Sequence, residues 1–180
     1  MSRYRIDGAG LDYGITLNID EFTRQQGVDV VIEGNISIGT MFIRAGFERV
    51  AVKNNVITPQ LIIGHNVSGM ATVRDVVAEG NIIIGGSDRI GVEINTFSER
   101  VAFAGNTLIY GNPGIRVRGR GVAVRSNYIY NNFYEAIYVL GSGTVVEGNW
   151  IIDDREPASK SCRGIMVKNA TDVVIRNNVI

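Results

Sequence analysis

The chain has 180 residues, Lys+Arg 18 against Asp+Glu 18, one His, one Cys and 22 Gly. That length suits one domain with a real core, zero net charge argues against a generic nucleic-acid binder, and a lone Cys162 excludes a disulfide framework or a Cys-based metal site. No apolar run of about 18 residues could span a membrane, and the opening MSRYRIDGAG lacks the apolar stretch of a signal peptide. Val and Ile total 46 against 5 Leu, with 16 Asn. β-branched residues favour extended backbone, so the chain is expected to be all-β.

Residues 1–27 read as an irregular first coil or partial cap. The segment DEFTRQQ at 20–26, followed by Gly27, suits one or two helical turns, a plain loop being the alternative. From there a repeat takes over: VVIEGNIS, VAVKNNVI, VVAEGNII, VAFAGNTL, VAVRSNYI, TVVEGNWI and VVIRNNVI. These place Asn at 35, 55, 81, 106, 127, 149 and 178, about 24 residues apart on average. Five residues before each Asn stand Val30, Val50, Val76, Val101, Val122, Thr144 and Val173. Three before it stand Ile32, Val52, Ala78, Phe103, Val124, Val146 and Ile175. A spacing of two puts both columns on one face of a strand. Immediately before each Asn comes Gly34, Asn54, Gly80, Gly105, Ser126, Gly148 or Asn177, the residues a corner with φ > 0 selects.

Between these units lies a second motif: Gly14-Ile15-Thr16-Leu17, Ile90-Gly91-Val92-Glu93-Ile94, Gly114-Ile115-Arg116-Val117, Ala136-Ile137-Tyr138-Val139 and Gly164-Ile165-Met166-Val167, with weaker copies at Met41-Phe42-Ile43 and Ala71-Thr72-Val73. Three short strands per repeat make a coil, and head-to-tail units must pair in parallel. Stacking them sets like over like about 4.8 Å apart. The asparagines then form a ladder, and Glu33–Lys53–Glu79 and Arg125–Glu147–Arg176 alternate in sign along a neighbouring column. The expectation is a single parallel β-helix of about seven coils. The motif breaks off at Val179-Ile180, so a fragment, or an end capped by flanking segments or a partner, is expected.

With its G-I-x-V…V-x-I-x-x-N-x-I coil, the sequence from about residue 14 to 180 resembles the right-handed parallel β-helix proteins of the pectin-lyase-like superfamily. The NosD-like and mannuronan-epimerase-like repeat type is the nearest resemblance. It implies a right-handed coil, an extracellular or cell-surface location and a monomer or trimer. It leaves activity open, since the superfamily holds lyases, hydrolases, epimerases, tailspikes and adhesins. It also implies that the G-I-x-V sheet, walled by its loops, holds an acidic polysaccharide; that no membrane or nucleic acid is a partner is expected from the missing apolar run and the balanced charge.

Alternation along that sheet points Phe42/Arg44, Thr72/Arg74, Glu93/Asn95, Arg116/Arg118, Tyr138/Leu140 and Met166/Lys168 outward. Arg44, Arg74, Arg118 and Lys168 give this face a basic tilt, with ordinary solubilising charge as the competing reading. Guanidinium groups pair carboxylates bidentately, and Tyr134 and Tyr138 offer rings for sugars, with Glu135 beside them. For a lyase, Arg116, Arg118 and Glu93 are the candidates for base and carboxylate neutraliser, with Tyr138 or Tyr134 as acid. A glycosidase would draw on Asp88, Glu93, Glu135, Asp153 or Asp154, but the compact acidic signatures of polygalacturonase-like proteins are absent. The Asp-Pro-His pattern of epimerase-like relatives is absent too. The residues assign no cofactor, while the resemblance implies that a lyase of this kind often carries Ca²⁺ on a carboxylate cluster. Asp153, Asp154 and Glu156, in the long insert 152–163, offer oxygens to a calcium ion without the spacing of a dedicated loop. His65 reads as a surface turn residue, and Cys162 has no histidine partner to make it a nucleophile. The alternative to a carbohydrate-active domain is a passive shaft, tailspike-like or adhesive.

Overall fold

A computed structural model of the chain describes residues 13–17, 27–44, 46–155 and 163–180. The described residues form strands and no helix. The proposed helix at 20–26, and Glu156 and Cys162, lie outside them.

Every named pair of strands is parallel, and the strands stack into three sheets. Sheet A holds Gly27–Glu33, Phe47–Lys53, Val73–Glu79, Ser98–Ala104, Ala123–Arg125, Val145–Glu147 and Val174–Arg176. Sheet C holds Ile36–Ile38, Val56–Thr58, Ile82–Ile84, Thr107–Ile109, Tyr128–Tyr130 and Trp150–Ile152. Sheet B holds Tyr13–Leu17, Thr40–Ile43, Leu61–Ile63, Val92–Ile94, Ile115–Val117, Glu135–Val139 and Arg163–Val167. Each turn runs A, then C, then B. Six turns are complete, and Tyr13–Leu17 and Val174–Arg176 add one strand at either end, against the seven coils expected.

The recurring asparagines are the spine. Oδ1 of Asn55, Asn81, Asn106, Asn127, Asn149 and Asn178 each accepts from both the backbone N and Nδ2 of the asparagine one turn before, at 2.9–3.1 Å. The same Nδ2 groups reach back to backbone carbonyls, as from Asn106 to Ala78 O at 3.0 Å. Five of the seven are buried to within 1%. The residue before each asparagine has φ between 52° and 68°, whether it is Gly, Asn or Ser. A corner that turns the chain from sheet A to sheet C needs that left-handed conformation, which explains the choice of residue.

The inward columns fill the interior as their spacing requires. Val50, Val76, Val101 and Val122 form one, and Val52, Ala78, Phe103 and Val124 another, all essentially inaccessible. Phe103 stands in register between Ala78 and Val124, so its large ring is matched by a small side chain below. Thr144, the polar member of the first column, satisfies its hydroxyl on Gly141 O at 2.7 Å.

Three outward columns give sheets A and C their character. Two residues before each asparagine the register runs Glu33, Lys53, Glu79, Ala104, Arg125, Glu147, Arg176. Lys53–Glu79, Arg125–Glu147 and Arg176–Glu147 pair at 3.5, 3.5 and 2.8 Å. Sheet C presents Ile36, Val56, Ile82, Thr107, Tyr128 and Trp150 in one column. Ile38, Thr58, Ile84, Ile109, Tyr130 and Ile152 make the other, and neither column holds a charge.

One strand departs from expectation. Ala71-Thr72-Val73 is not the sheet B strand of its turn; Leu61–Ile63 is, and Val73 opens a strand of sheet A. Leu61, Ile62 and Ile63 are all buried, so this copy lacks the alternation that marks the others.

Candidate functional site

The outward column of sheet B runs in register Thr16, Phe42, Ile62, Glu93, Arg116, Tyr138, Met166. Beside it, one residue past the strand ends, lie Arg44, Gly64, Asn95, Arg118, Leu140 and Lys168. Their backbone bonds continue the ladder, for example Arg118 N to Ile94 O at 2.7 Å and Lys168 N to Val139 O at 2.9 Å. Parallel stacking therefore puts Arg116 one rung, about 4.8 Å, above Glu93 and one below Tyr138.

At the centre of this face Glu93 is only 8% exposed. Its Oε1 accepts from Nη2 of Arg116 and from Nη1 of Arg118, the latter at 2.9 Å. One buried carboxylate thus fixes two guanidinium groups, leaving the cluster one positive charge in excess. Two polar atoms of the cluster are buried without a hydrogen-bond partner among the described residues, Arg116 Nε and Asn95 Oδ1. Buried orphans of this kind each cost about 1–3 kcal/mol. A self-contained salt bridge would carry no such penalty, so the cluster is chemically incomplete.

The face continues on both sides. Arg44 lies 5.2 Å over the Phe42 ring, and Glu135, buried, meets the exposed Arg163 at 3.6 Å. Tyr134 is exposed in the loop that leads into the strand Glu135–Val139, and Lys168 is exposed at the end of its strand. Counting Arg44, Arg116, Arg118, Arg163 and Lys168 against Glu93 and Glu135 gives a net of three positive charges, in a chain whose total is zero. Glu93, Arg116, Arg118 and Tyr138 are brought together as expected. Arg74 is not. It sits on sheet A between Glu48 at 3.5 Å and Glu99 at 3.1 Å, because the strand that carries it follows the misread copy.

The carboxylates offered to calcium are engaged by protein groups. Asp153 holds Arg155 through both oxygens at 2.7 and 2.8 Å, and Arg155 in turn lies 4.7 Å over Phe133. Asp154 accepts from Tyr130 Oη at 2.5 Å and Asn131 Nδ2 at 3.0 Å. Those two bonds hold the Asp154 carboxyl below its ordinary range, and the same contact pushes the Tyr130 phenol up. Among the described residues no group of three His, Cys, Asp or Glu side chains is placed to hold a metal, so the residues described do not fit a calcium site. Of the other carboxylates a glycosidase would draw on, Glu93 is held by two arginines and Glu135 by Arg163.

His65 is buried rather than on the surface. Its ring stacks on Phe97 at 5.0 Å, Nδ1 accepts from Val67 N at 3.3 Å, and Nε2 donates to Ala71 O at 3.1 Å in the tautomer this pattern assigns. It organises the loop between Ile63 and Val73 and has no catalytic position.

Sequence reading missed a further column, six residues before each asparagine. Asp29, Arg49, Asp75, Arg100, Gly121, Gly143 and Asp172 all have positive φ, from 53° to 68°. Arg49 clasps Asp29 at 2.6 and 3.0 Å, and Arg100 clasps Asp75 at 2.7 and 2.8 Å. These bonds hold the carboxyl groups of Asp29 and Asp75 below their ordinary range. The fixed offset was available as a signal in Gly121, Gly143 and the three aspartates, which enter left-handed backbone more readily than most residues, but Arg49 and Arg100 do not announce such a bend.

These features define a three-sided parallel β-solenoid with an internal asparagine ladder and one cationic, partly aromatic face. Residues 61–180, which is 120 of the 180, match the family described as right handed beta helix region, and the chain belongs to that family. No curated protein matches it. The solved structure of trypsin-treated QnrB1, a plasmid-mediated fluoroquinolone resistance protein, aligns over 85% of this chain and 92% of that one, at 11% identity and a TM-score of 0.18. A superposition that loose bears on neither fold nor function.

Proposed function

We propose that sheet B binds an extended acidic polysaccharide without cleaving it, in the manner the pectin-lyase-like resemblance implies for this sheet. The observation that carries the reading is the Glu93 cluster. A buried carboxylate pre-orients Arg116 and Arg118, so little side-chain entropy remains to be lost when they pair with a uronate or sulfate. Tyr138 one rung beyond, and Tyr134 exposed in the loop that leads into its strand, supply faces for sugar rings. As a donor to Glu93, the Arg116 guanidinium has no lone pair with which to take a proton. A clamp therefore fits its geometry better than the base of an elimination.

The test is titration against a panel of polyuronates and sulfated glycans, followed by both binding heat and product absorbance. Arg116→Ala and Arg118→Ala are expected to weaken binding at least tenfold, and added salt to weaken it further. Arg74→Ala, on sheet A, leaves it unchanged. Absence of binding to every glycan removes the proposal, and equal loss in Arg74→Ala removes its location. Unsaturated product from the wild type would replace the clamp with a lyase.

The second reading, a passive shaft, is favoured by one observation: the ladder runs through every turn without a break. It predicts no glycan response at all.

A further inference from the structure

The outer face of sheet C has no role in the reading above. Ile36 and Ile38 are 76% and 78% exposed and Trp150 is 55% exposed. Ile82, Ile84 and Tyr128 are each more than a third exposed as well, so the face is an apolar surface, with Asp154 at its edge bonded to Tyr130. Contiguous exposed apolar faces mark interaction surfaces, and the question is what fits this one.

The charge column along its edge answers it. Read from the first turn to the last, its signs run minus, plus, minus, neutral, plus, minus, plus. Unbroken alternation over seven rungs would oppose like charges when the column is reversed upon itself. The neutral Ala104 shifts the phase, so reversal instead sets Glu33 against Arg176, Lys53 against Glu147 and Glu79 against Arg125. Ala104 meets itself. The same reversal on sheet C sets Val56 against Trp150, Ile82 against Tyr128 and Ile84 against Tyr130, each aliphatic side chain facing an aromatic one. Thr107, small and uncharged, meets its own copy. A surface complementary to its own reverse is the signature of an isologous two-fold contact.

We propose that two copies of this chain pack sheet C on sheet C about a two-fold axis running along the strands at the Thr107–Ile109 rung, with their coil axes antiparallel. The rotation keeps position along the strand and reverses the order of rungs. It therefore brings the two charge columns together along one rim of the contact. Sheet B of each copy stays outside it.

Sedimentation and light scattering over a micromolar concentration series are expected to give a particle of twice 19.6 kDa. Thr107→Arg places two guanidinium groups on the axis and raises the dimer dissociation constant at least tenfold, with the circular dichroism of the monomer unchanged. Glu33→Arg and Arg176→Glu each weaken the dimer, and the double swap restores it. Those two positions lie six rungs, about 29 Å, apart within one chain, so only contact between chains can produce the rescue. As a measurement that does not rest on destabilised variants, Thr107→Cys in a Cys162→Ser background is joined into a covalent dimer by a short bismaleimide that spans the roughly 10 Å between packed sheets, and Ile36→Cys is not. A monomer at all concentrations, a trimer, a dimer indifferent to Thr107→Arg, or a double swap no tighter than its parents would each overturn the proposal.

Discussion

Replacing Asn106 by Ala tests the ladder where it is deepest. The side chain gives Nδ2 to Asn127 Oδ1, Ala78 O and Ala104 O, and its Oδ1 accepts from N and Nδ2 of Asn81, five contacts at 2.9–3.1 Å. Truncation leaves the buried backbone N–H of Asn81, and one of its two amide hydrogens, with no acceptor. At about 1–3 kcal/mol for each orphan and a small cavity besides, the cost comes to about 3–5 kcal/mol. Asn35, at the first rung, is half-buried and donates to Asn55 Oδ1 and Glu33 O. Its removal strands no donor, since Asn35 N still reaches Asn55 Oδ1, and costs about 0.5–1.5 kcal/mol. Denaturant unfolding at equal m-value separates the two. Equal losses in Asn35→Ala and Asn106→Ala, or a loss below about 1 kcal/mol in the latter, would refute the view that orphaned donors, rather than bond number alone, set the energy.

Two further outcomes follow from the same geometry. The Asp75 carboxyl is held low by Arg100, so the pair stabilises the fold above the ordinary value of 3.8 and loses that contribution as pH falls below it. Asp75→Asn should therefore fall short of wild-type stability at neutral pH, by little because the pair is exposed, and the gap should close in acid; a gap that widens as pH falls contradicts the assignment. Gly141→Ala would place a Cβ 2.0 Å from Gly119 O in the turn below and should cost about 1–3 kcal/mol. Gly105, with φ +61° and nothing within 4 Å of where a Cβ would stand, should accept Asn almost freely, as Asn54 and Asn177 already occupy that corner. Thermal melts of the two variants check the contrast.

What was legible in the sequence followed from where side chains face the interior. A buried column tolerates few residue types, so Val30 to Val173 and the seven asparagines repeat visibly, and strand, corner and ladder could be read from them. The outward columns answer to solvent or to a ligand, and they vary. Leu61-Ile62-Ile63 hid because its outward position is itself apolar and buried, which erased the alternation and moved Arg74 to the wrong face. Glu93 and its arginines were found as neighbours, but their convergence on one oxygen depends on side-chain reach across rungs, which no spacing encodes. The apolar face of sheet C was legible two residues apart in every N-x-I unit. It went unread because the inward Ile between those positions already accounts for an apolar strand.

The arrangement also explains how one short repeat can carry unrelated surfaces. Inside, the ladder and the packed columns fix register to the rung, since a slip by one turn would set the unlike sizes of Ala78 and Phe103 against the wrong neighbours. With register fixed, each outward position becomes a site on a rigid lattice whose spacing along the coil is about 4.8 Å. Chemistry can then differ from face to face at no cost to the core: fixed guanidinium groups on sheet B, bidentate Asp–Arg clasps on sheet A, and apolar contact on sheet C. Because the lattice is already ordered, a ligand or second copy that matches it loses freedom mainly on its own side. Affinity on either face should therefore track the number of rungs engaged, and removal of a single outward side chain should leave binding at the other rungs intact.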